Sequence, residues 1–117
     1  MRHASEKKHK QMKNKYGVQL DRNGYAPSIW EQEDRCAICG RRDRKLDRHE
    51  IYHGVSNRTK SKNLGLWVRI CDLCHAELHQ RNASLDEMLK ENMQKVAMEH
   101  YGWSIDDFRR EIGKSYI

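Results

Sequence analysis

Two Cys-x-x-Cys pairs, Cys36-Ala-Ile-Cys39 and Cys71-Asp-Leu-Cys74, are separated by 31 residues. Each pair can place two thiolates on one tetrahedral ion, its turn aiming backbone N–H groups at sulfur, and two pairs together close a four-cysteine zinc site. A closed site keeps no open position, so such an ion holds the fold and does no chemistry. The competing readings are two disulfides or a redox-active Cys-x-x-Cys in a thioredoxin-like fold. No βαβ pattern surrounds the pairs and residues 1–15 carry no apolar signal core, which counts against both.

Four of the seven histidines, His49, His53, His75 and His79, fall within residues 36–80, the segment the zinc would clamp. His75 and His79 are four apart, which places them on one face of a helix beginning beside the zinc site. His49 lies on a segment that reads as a strand, and the zinc would tie that strand to the helix. The three imidazoles can therefore converge, although an i,i+4 histidine pair taken alone is as often an ordinary solvated surface.

The elements that must position these groups are legible in outline. Residues 46–52 and 65–70 hold the β-branched and aromatic residues of two short strands, with residues 53–63 between them reading as a polar, basic loop. Ser84-Leu85-Asp86-Glu87 is a capping-box pattern. Leu85, Met88, Leu89, Met93, Val96, Ala97 and Tyr101 follow at helical spacing up to a C-cap at Gly102. A second box, Ser104 to Asp107, opens a short helix expected to turn Ile105, Phe108 and Ile112 inward and to end at Gly113. Upstream, residues 4–16 read as a weak polar helix or basic arm carrying Lys7, Lys8, Lys10, Lys13 and Lys15. Residues 21–28, with Asn-Gly and the only proline, read as a turn-rich connection. Trp67 and Trp103 are expected to pack rather than stack on a ligand.

Of the 117 residues only 37% are apolar and 34% are charged, so the core is thin and a chain this short gains from a metal staple. One domain is expected, in three parts: residues 1–35 an arm and linker, 36–80 the metal-bearing core, 81–117 a helical packing segment. The net charge of +6 makes nucleic acid the leading candidate partner. Lys and Arg outnumber Asp and Glu 8 to 5 in the first part and 9 to 5 in the second, against 6 to 7 in the third, which places any polyanion contact in the first two.

The run Leu46-Asp-Arg-His-Glu-Ile51, with Asn57-Arg58, Ser61, Gly65-Leu-Trp-Val68, Ile70-Cys71-Asp-Leu-Cys74-His75 and His79, resembles an HNH endonuclease. It is most similar to the small four-cysteine HNH proteins of phages and prophages. The motif-bearing resemblance spans residues 36–80, with a weaker similarity through residues 21–28 and 108–117. It implies an α+β, ββα-metal fold in which a hairpin and a helix grip one divalent ion and the scissile phosphate. His49 stands at the family's first ligand position, His75 at the final metal-binding histidine, and His79 at the further ligand some members add one turn on. Glu50 stands where the family normally has a histidine general base. A carboxylate of ordinary pKa near ~4.3 is a weaker base at neutral pH, so His53 is the substitute, with Glu50 preferred for its aligned position. The family's loop-pinning asparagine would be residue 66, here Leu66, and Asn63 or the Gly65 backbone is expected to replace it.

The resemblance further implies hydrolysis of DNA phosphodiesters to 5′-phosphate and 3′-hydroxyl ends, aided by a catalytic Mg2+, Mn2+, Ni2+ or Zn2+ beside the structural Zn2+. Expected partners are DNA and phage packaging proteins. The expected location is the cytoplasm of a bacterial host, with no membrane contact, since no apolar stretch approaches the ~18 to 20 residues of a membrane span. Arg41, Arg42, Arg44 and Lys45 before the first strand, and Arg58, Lys60 and Lys62 after it, are the candidate phosphate contacts, with Arg58 the candidate clamp at the reaction centre. The competing functions are a zinc-stabilised DNA-binding module that has lost catalysis, and an adaptor docking through residues 85–101.

Overall fold

β1 (Leu46–Glu50) and β2 (Trp67–Cys71) pair antiparallel, with Leu46 opposite Cys71, Arg48 opposite Arg69, His49 opposite Val68 and Glu50 opposite Trp67. Side chains alternate across such a pair. Val68 and Ile70 are fully buried on one face, and Arg69 stands exposed on the other. The computed structural model describes residues 12–80 and 82–117. Most of the basic arm, including Lys7, Lys8 and Lys10, lies outside the described residues.

Between the strands runs a helix, α1 (Val55–Leu64), where the sequence reads as a loop. The correction has a tertiary cause. Only Ser61 and Leu64 of α1 are buried, so the segment has no apolar stripe to announce it. Asn57 Nδ2 donates to the Ile112 carbonyl at 3.0 Å and Lys60 Nζ to the Glu111 carbonyl at 2.5 Å, tying α1 to the far end of the chain. Gly65 ends the helix in the left-handed conformation, φ 74°, its N–H returning to the Lys62 and Ser61 carbonyls.

α2 (Asp72–His79) follows β2 directly, and Cys71 caps it by accepting the Cys74 N–H. α3 (Ala83–Tyr101) starts two residues earlier than the sequence pattern suggests. Its N-cap is Asn82, whose side chain accepts the Leu85 N–H, and Ser84 lies inside the first turn. Gly102 closes α3 as expected, and the Ser104/Asp107 capping box opens α4 (Ile105–Ile112), with Gly113 after it. Phe108 and Ile112 face inward but Ile105 is exposed, because it occupies the first turn, beyond the packed face. On α3, Met88 is likewise exposed while Leu89, Met93 and Ala97 are buried.

The core is one cluster joining the strands to α1, α3 and α4, with Ile51, Tyr52, Leu66, Met93 and Phe108 at 1% exposure or less. Tyr52 sits at its centre, its ring 5.5 Å from Phe108 and its hydroxyl donating to the Lys90 carbonyl at 2.6 Å. Buried Gln94 holds the chain end, donating to Ser115 Oγ and accepting the Tyr116 N–H. Residues 12–16 are not helical. Lys13 bridges Gln19 across a turn in which Asn14 Oδ1 accepts the Tyr16 and Val18 N–H groups, and Asn14 Nδ2 reaches the Asn63 carbonyl. Among the described residues no helix is long and apolar enough to cross a membrane.

The architecture is therefore a small mixed α/β domain whose described residues form four helices and a two-stranded sheet around a four-cysteine cluster.

Candidate functional site

The turn before β1 and the β2–α2 junction bring Cys36, Cys39, Cys71 and Cys74 together, their sulfurs all within 4.8 Å of one another. No disulfide forms among them. Cys36 Sγ accepts the N–H groups of Ile38, Cys39 and Cys71, and Cys71 Sγ accepts that of Cys74. Burial pushes the Cys36 thiol up, but the N–H groups of Cys39, Cys71 and Ile38 outweigh it and bring the pKa down to about 6. Burial and the neighbouring cysteines push Cys74 the other way. Four sulfurs at ~2.3 Å from a tetrahedral ion stand about 3.8 Å apart; Cys39 and Cys71 are 3.8 Å apart. The donor set is that of a structural zinc site.

A cavity of about 710 Å³ opens where β1 meets α2 and the start of α3. His49, His53, His75 and His79 all line it. The His49 ring lies 5.8 Å from His75 and 6.2 Å from His53, and His75 lies 4.7 Å from His79, centroid to centroid. The i,i+4 spacing on α2 faces the strand that carries His49, as the sequence order requires. Nε2 of His49 is buried without a hydrogen-bond partner. Burial, then the neighbouring His75 and His53, pulls the His49 pKa down to about 4, so near neutral pH the ring carries no charge and keeps a lone pair. A neutral imidazole with an orphaned buried nitrogen suits a metal better than an ordinary packing role, in which that nitrogen would be paired.

Glu50 lines the same cavity and is held from both sides. The Tyr25 hydroxyl donates to its Oε2 at 2.5 Å, and Arg58 Nε stands 3.8 Å from its Oε1. His53 is more exposed, with Nε2 3.7 Å from Asp86 Oδ1 on the first turn of α3. Asp86 in turn pairs with Lys90 at 2.8 Å.

No family model, curated protein or solved structure matches this chain. Assignment of the site therefore stands on its geometry.

Of the seven candidate phosphate contacts, Arg58 alone lines the cavity. Arg44 is held by Asp72 through two bonds of 2.5 and 2.7 Å, which bring the Asp72 carboxyl down to about 2. Arg42 pairs with Glu33 at 2.8 Å; Arg41 and Lys45 lie within 4 Å of Asp43 and Asp47. Lys60 is turned to the end of α4 by its bond to the Glu111 carbonyl. Lys62 lies over the Tyr25 ring. Trp67 packs as expected, 6% exposed with its indole N–H on the Ala26 carbonyl.

The sequence assigns no role to three residues around the site. Tyr25 belongs to a turn and meets Glu50 only through the fold. Arg48 lines the cavity beside His49 and pairs with Asp21 at 3.1 Å. Ser61 bonds both main-chain polar groups of Tyr52 just past the end of β1.

Proposed function

We propose that this chain is a metal-dependent endonuclease of the HNH kind that hydrolyses DNA phosphodiester bonds, with β1, β2 and α2 as its ββα-metal unit. What carries the proposal is the convergence of His49 from the sheet with His75 and His79 from α2 on one cavity, His49 Nε2 being buried there without a partner. The resemblance of residues 36–80 to phage and prophage HNH proteins supports the same reading, and with it a role beside phage DNA processing or packaging.

His49, His75 and His79 would hold a divalent ion, Mg2+, Mn2+, Ni2+ or Zn2+, which when bound supplies Lewis-acid stabilisation to the phosphate and the leaving oxygen. Glu50 takes a proton from the attacking water. The new bond joins water oxygen to phosphorus, the bond from phosphorus to the 3′ oxygen breaks, the leaving 3′ oxygen takes a proton from solvent, and the products are a 5′-phosphate and a 3′-hydroxyl. Arg58, 60% exposed at the cavity wall, pairs with the phosphate and exchanges its long contact to Glu50 for a stronger one. Tyr25 fixes the carboxylate's direction. His53, oriented by Asp86, is the alternative base.

The test is nicking of supercoiled plasmid by wild type and His49→Ala, in EDTA and with each metal added back, both proteins first shown to hold one zinc per chain. Metal-dependent nicking that His49→Ala loses by at least about a hundredfold is the expected result. Absence of nicking with every metal, alongside retained DNA binding, overturns the catalytic reading and leaves a zinc-stapled DNA-binding module.

A further inference from the structure

Arg48 and Arg69 are direct cross-strand partners on the face of the sheet turned away from the core. Like charges opposite one another in a ladder destabilise it, so this pair costs the free protein stability that an anion lying between them would return. Arg48 has Asp21 as a partner at 3.1 Å, whereas Arg69 stands exposed with no acidic partner among the described residues. Arg48 stacks over Tyr25 at 4.1 Å and over Trp67 at 5.0 Å, and Arg69 stacks over the same Trp67 at 5.3 Å. Lys62, at the end of α1, lies 5.1 Å from the Tyr25 centroid on the other flank. Stacking occupies one face of a guanidinium and leaves its N–H edge free to donate.

The strip therefore runs Lys62, Tyr25, Arg48, Trp67, Arg69. Two carboxylates touch it, Asp21 on Arg48 and Glu50 on the Tyr25 hydroxyl. Arg69 and Lys62 have no acidic partner among the described residues. Beside it lies a groove of about 460 Å³ walled by Tyr25, Pro27, Arg48, Trp67 and Arg69, with Asp21, the Arg48 partner, at its edge. Arg48 is a wall of this groove and also of the histidine cavity, so the two are neighbours on either side of it. Past Arg69 the surface turns acidic at Glu33 and Asp34, which ends the strip.

We infer that this strip is a second nucleic-acid contact, taking the phosphodiester backbone of the strand that leaves the histidine cavity. Its position relative to the scissile phosphate rests on the nuclease reading; its anion-binding character does not. An extended polyanion is the occupant the geometry favours, because the cations are spaced in a row over Tyr25 and Trp67 that reaches the cavity wall at Arg48, rather than gathered round one point. Trp67 is too buried to stack a base. The contact therefore reads phosphates and not sequence.

The experiment measures binding without cleavage. Fluorescence anisotropy of a labelled 20-base-pair duplex in EDTA, over a series of salt concentrations, compares wild type with Arg69→Gln, Lys62→Gln and the double variant. Lys95→Gln, on α3, is the control. Zinc content and circular dichroism establish that each is folded. Each strip substitution is expected to weaken binding about fivefold and reduce the salt slope by about one, irrespective of sequence, while the control changes neither. Variants that bind with the wild-type slope overturn the strip, and plasmid nicking by those same variants shows separately whether the nuclease reading stands. Competition by polyglutamate as strong as by DNA of equal charge would make the occupant an acidic polypeptide and overturn the nucleic-acid assignment. A folded wild type with no affinity for DNA overturns the strip too.

Discussion

Ser61 Oγ bonds both main-chain polar groups of Tyr52, accepting the N–H at 3.1 Å and donating to the carbonyl at 2.7 Å. All three groups are buried, so no water replaces the hydroxyl if it is removed. Ser61→Ala is expected to lose about 1–3 kcal/mol, the cost of leaving buried main-chain groups unpaired. Urea denaturation followed by circular dichroism measures it. Since Tyr52 lies two residues past Glu50, nicking should fall along with stability. A change below ~0.5 kcal/mol would show that Ser61 does not pin the end of β1.

Gly65 faces a harder constraint. A Cβ there would stand 2.3 Å from the Pro27 carbonyl oxygen, a backbone atom that cannot swing aside, and φ is +74°. Gly65→Ala should therefore cost well over ~2 kcal/mol, combining left-handed strain with displacement of the 26–29 segment. Gly102 has a similar φ of +69° with nothing within 4 Å of a built Cβ. Gly102→Ala should lose only the conformational part, about 1 kcal/mol. Equal losses at the two positions, in the same denaturation experiment, would refute the close-approach argument.

What the sequence discloses and what it hides divide along a physical line. The cysteine spacing, the β-branched runs and the Ser104 box are local signals, and each appears in the structure where its residues stand. α1 is invisible because its stability is not local: it buries two residues and is held by bonds from Asn57 and Lys60 to carbonyls more than fifty residues away. In a loop, residues 61 and 63 can both reach the strand, but in a helix they point about 200° apart, and Ser61 is the one facing Tyr52. Side-chain partnerships across the fold, such as Tyr25 with Glu50 or His53 with Asp86, leave no periodic trace at all. Candidate cations are equally ambiguous in sequence, since Arg44 and Arg58 look alike until Asp72 is seen to occupy one of them.

The four-cysteine cluster and the proposed histidine site should separate on chelation. Zinc held by four thiolates resists dialysis against EDTA, whereas an ion on three imidazoles exchanges readily. Elemental analysis after dialysis should give one zinc per chain. Removal of that zinc by a stronger chelator, or Cys71→Ser, should abolish the folded circular dichroism signal. Cys71 sits at the junction of β2 and α2, so its loss releases both. Because the thiols must be deprotonated to bind, zinc release should advance as pH falls. A protein that stays folded and cooperative without zinc would contradict the staple.

Alkaline pH tests the tyrosines. Burial, then the Glu50 carboxylate, pushes the Tyr25 pKa up to about 12, and burial does the same at Tyr101. Folding raises these pKa values above the unfolded ~10, so the native state favours the neutral phenols. Their contribution is intact below about pH 10 and is lost as pH rises toward 12. Phenolate absorbance near 295 nm should show at least these two tyrosines titrating late, with unfolding close behind. Titration of all five near pH 10 in folded protein would contradict the burial at both sites.

On the proposed nuclease reading, Tyr25, Glu50 and His53 are the residues that would decide how water is activated. If Glu50 is the base, Glu50→Gln removes the proton acceptor and should reduce nicking by about 10²–10⁴-fold, the range of general-base catalysis. Tyr25→Phe keeps the carboxylate but deletes the 2.5 Å bond that aims it. A fall of about tenfold in kcat with KM unchanged is expected, because the aim of the carboxylate matters to the reaction and not to DNA affinity. His53→Ala and Asp86→Asn should retain most activity. The reverse pattern, with activity lost in both His53→Ala and Asp86→Asn but kept in Glu50→Gln, would transfer the role to the histidine that Asp86 orients. In that case Glu50 and Tyr25 form a structural latch between the 21–28 turn and β1, and Tyr25→Phe should lower stability without altering the kcat of the protein that remains folded.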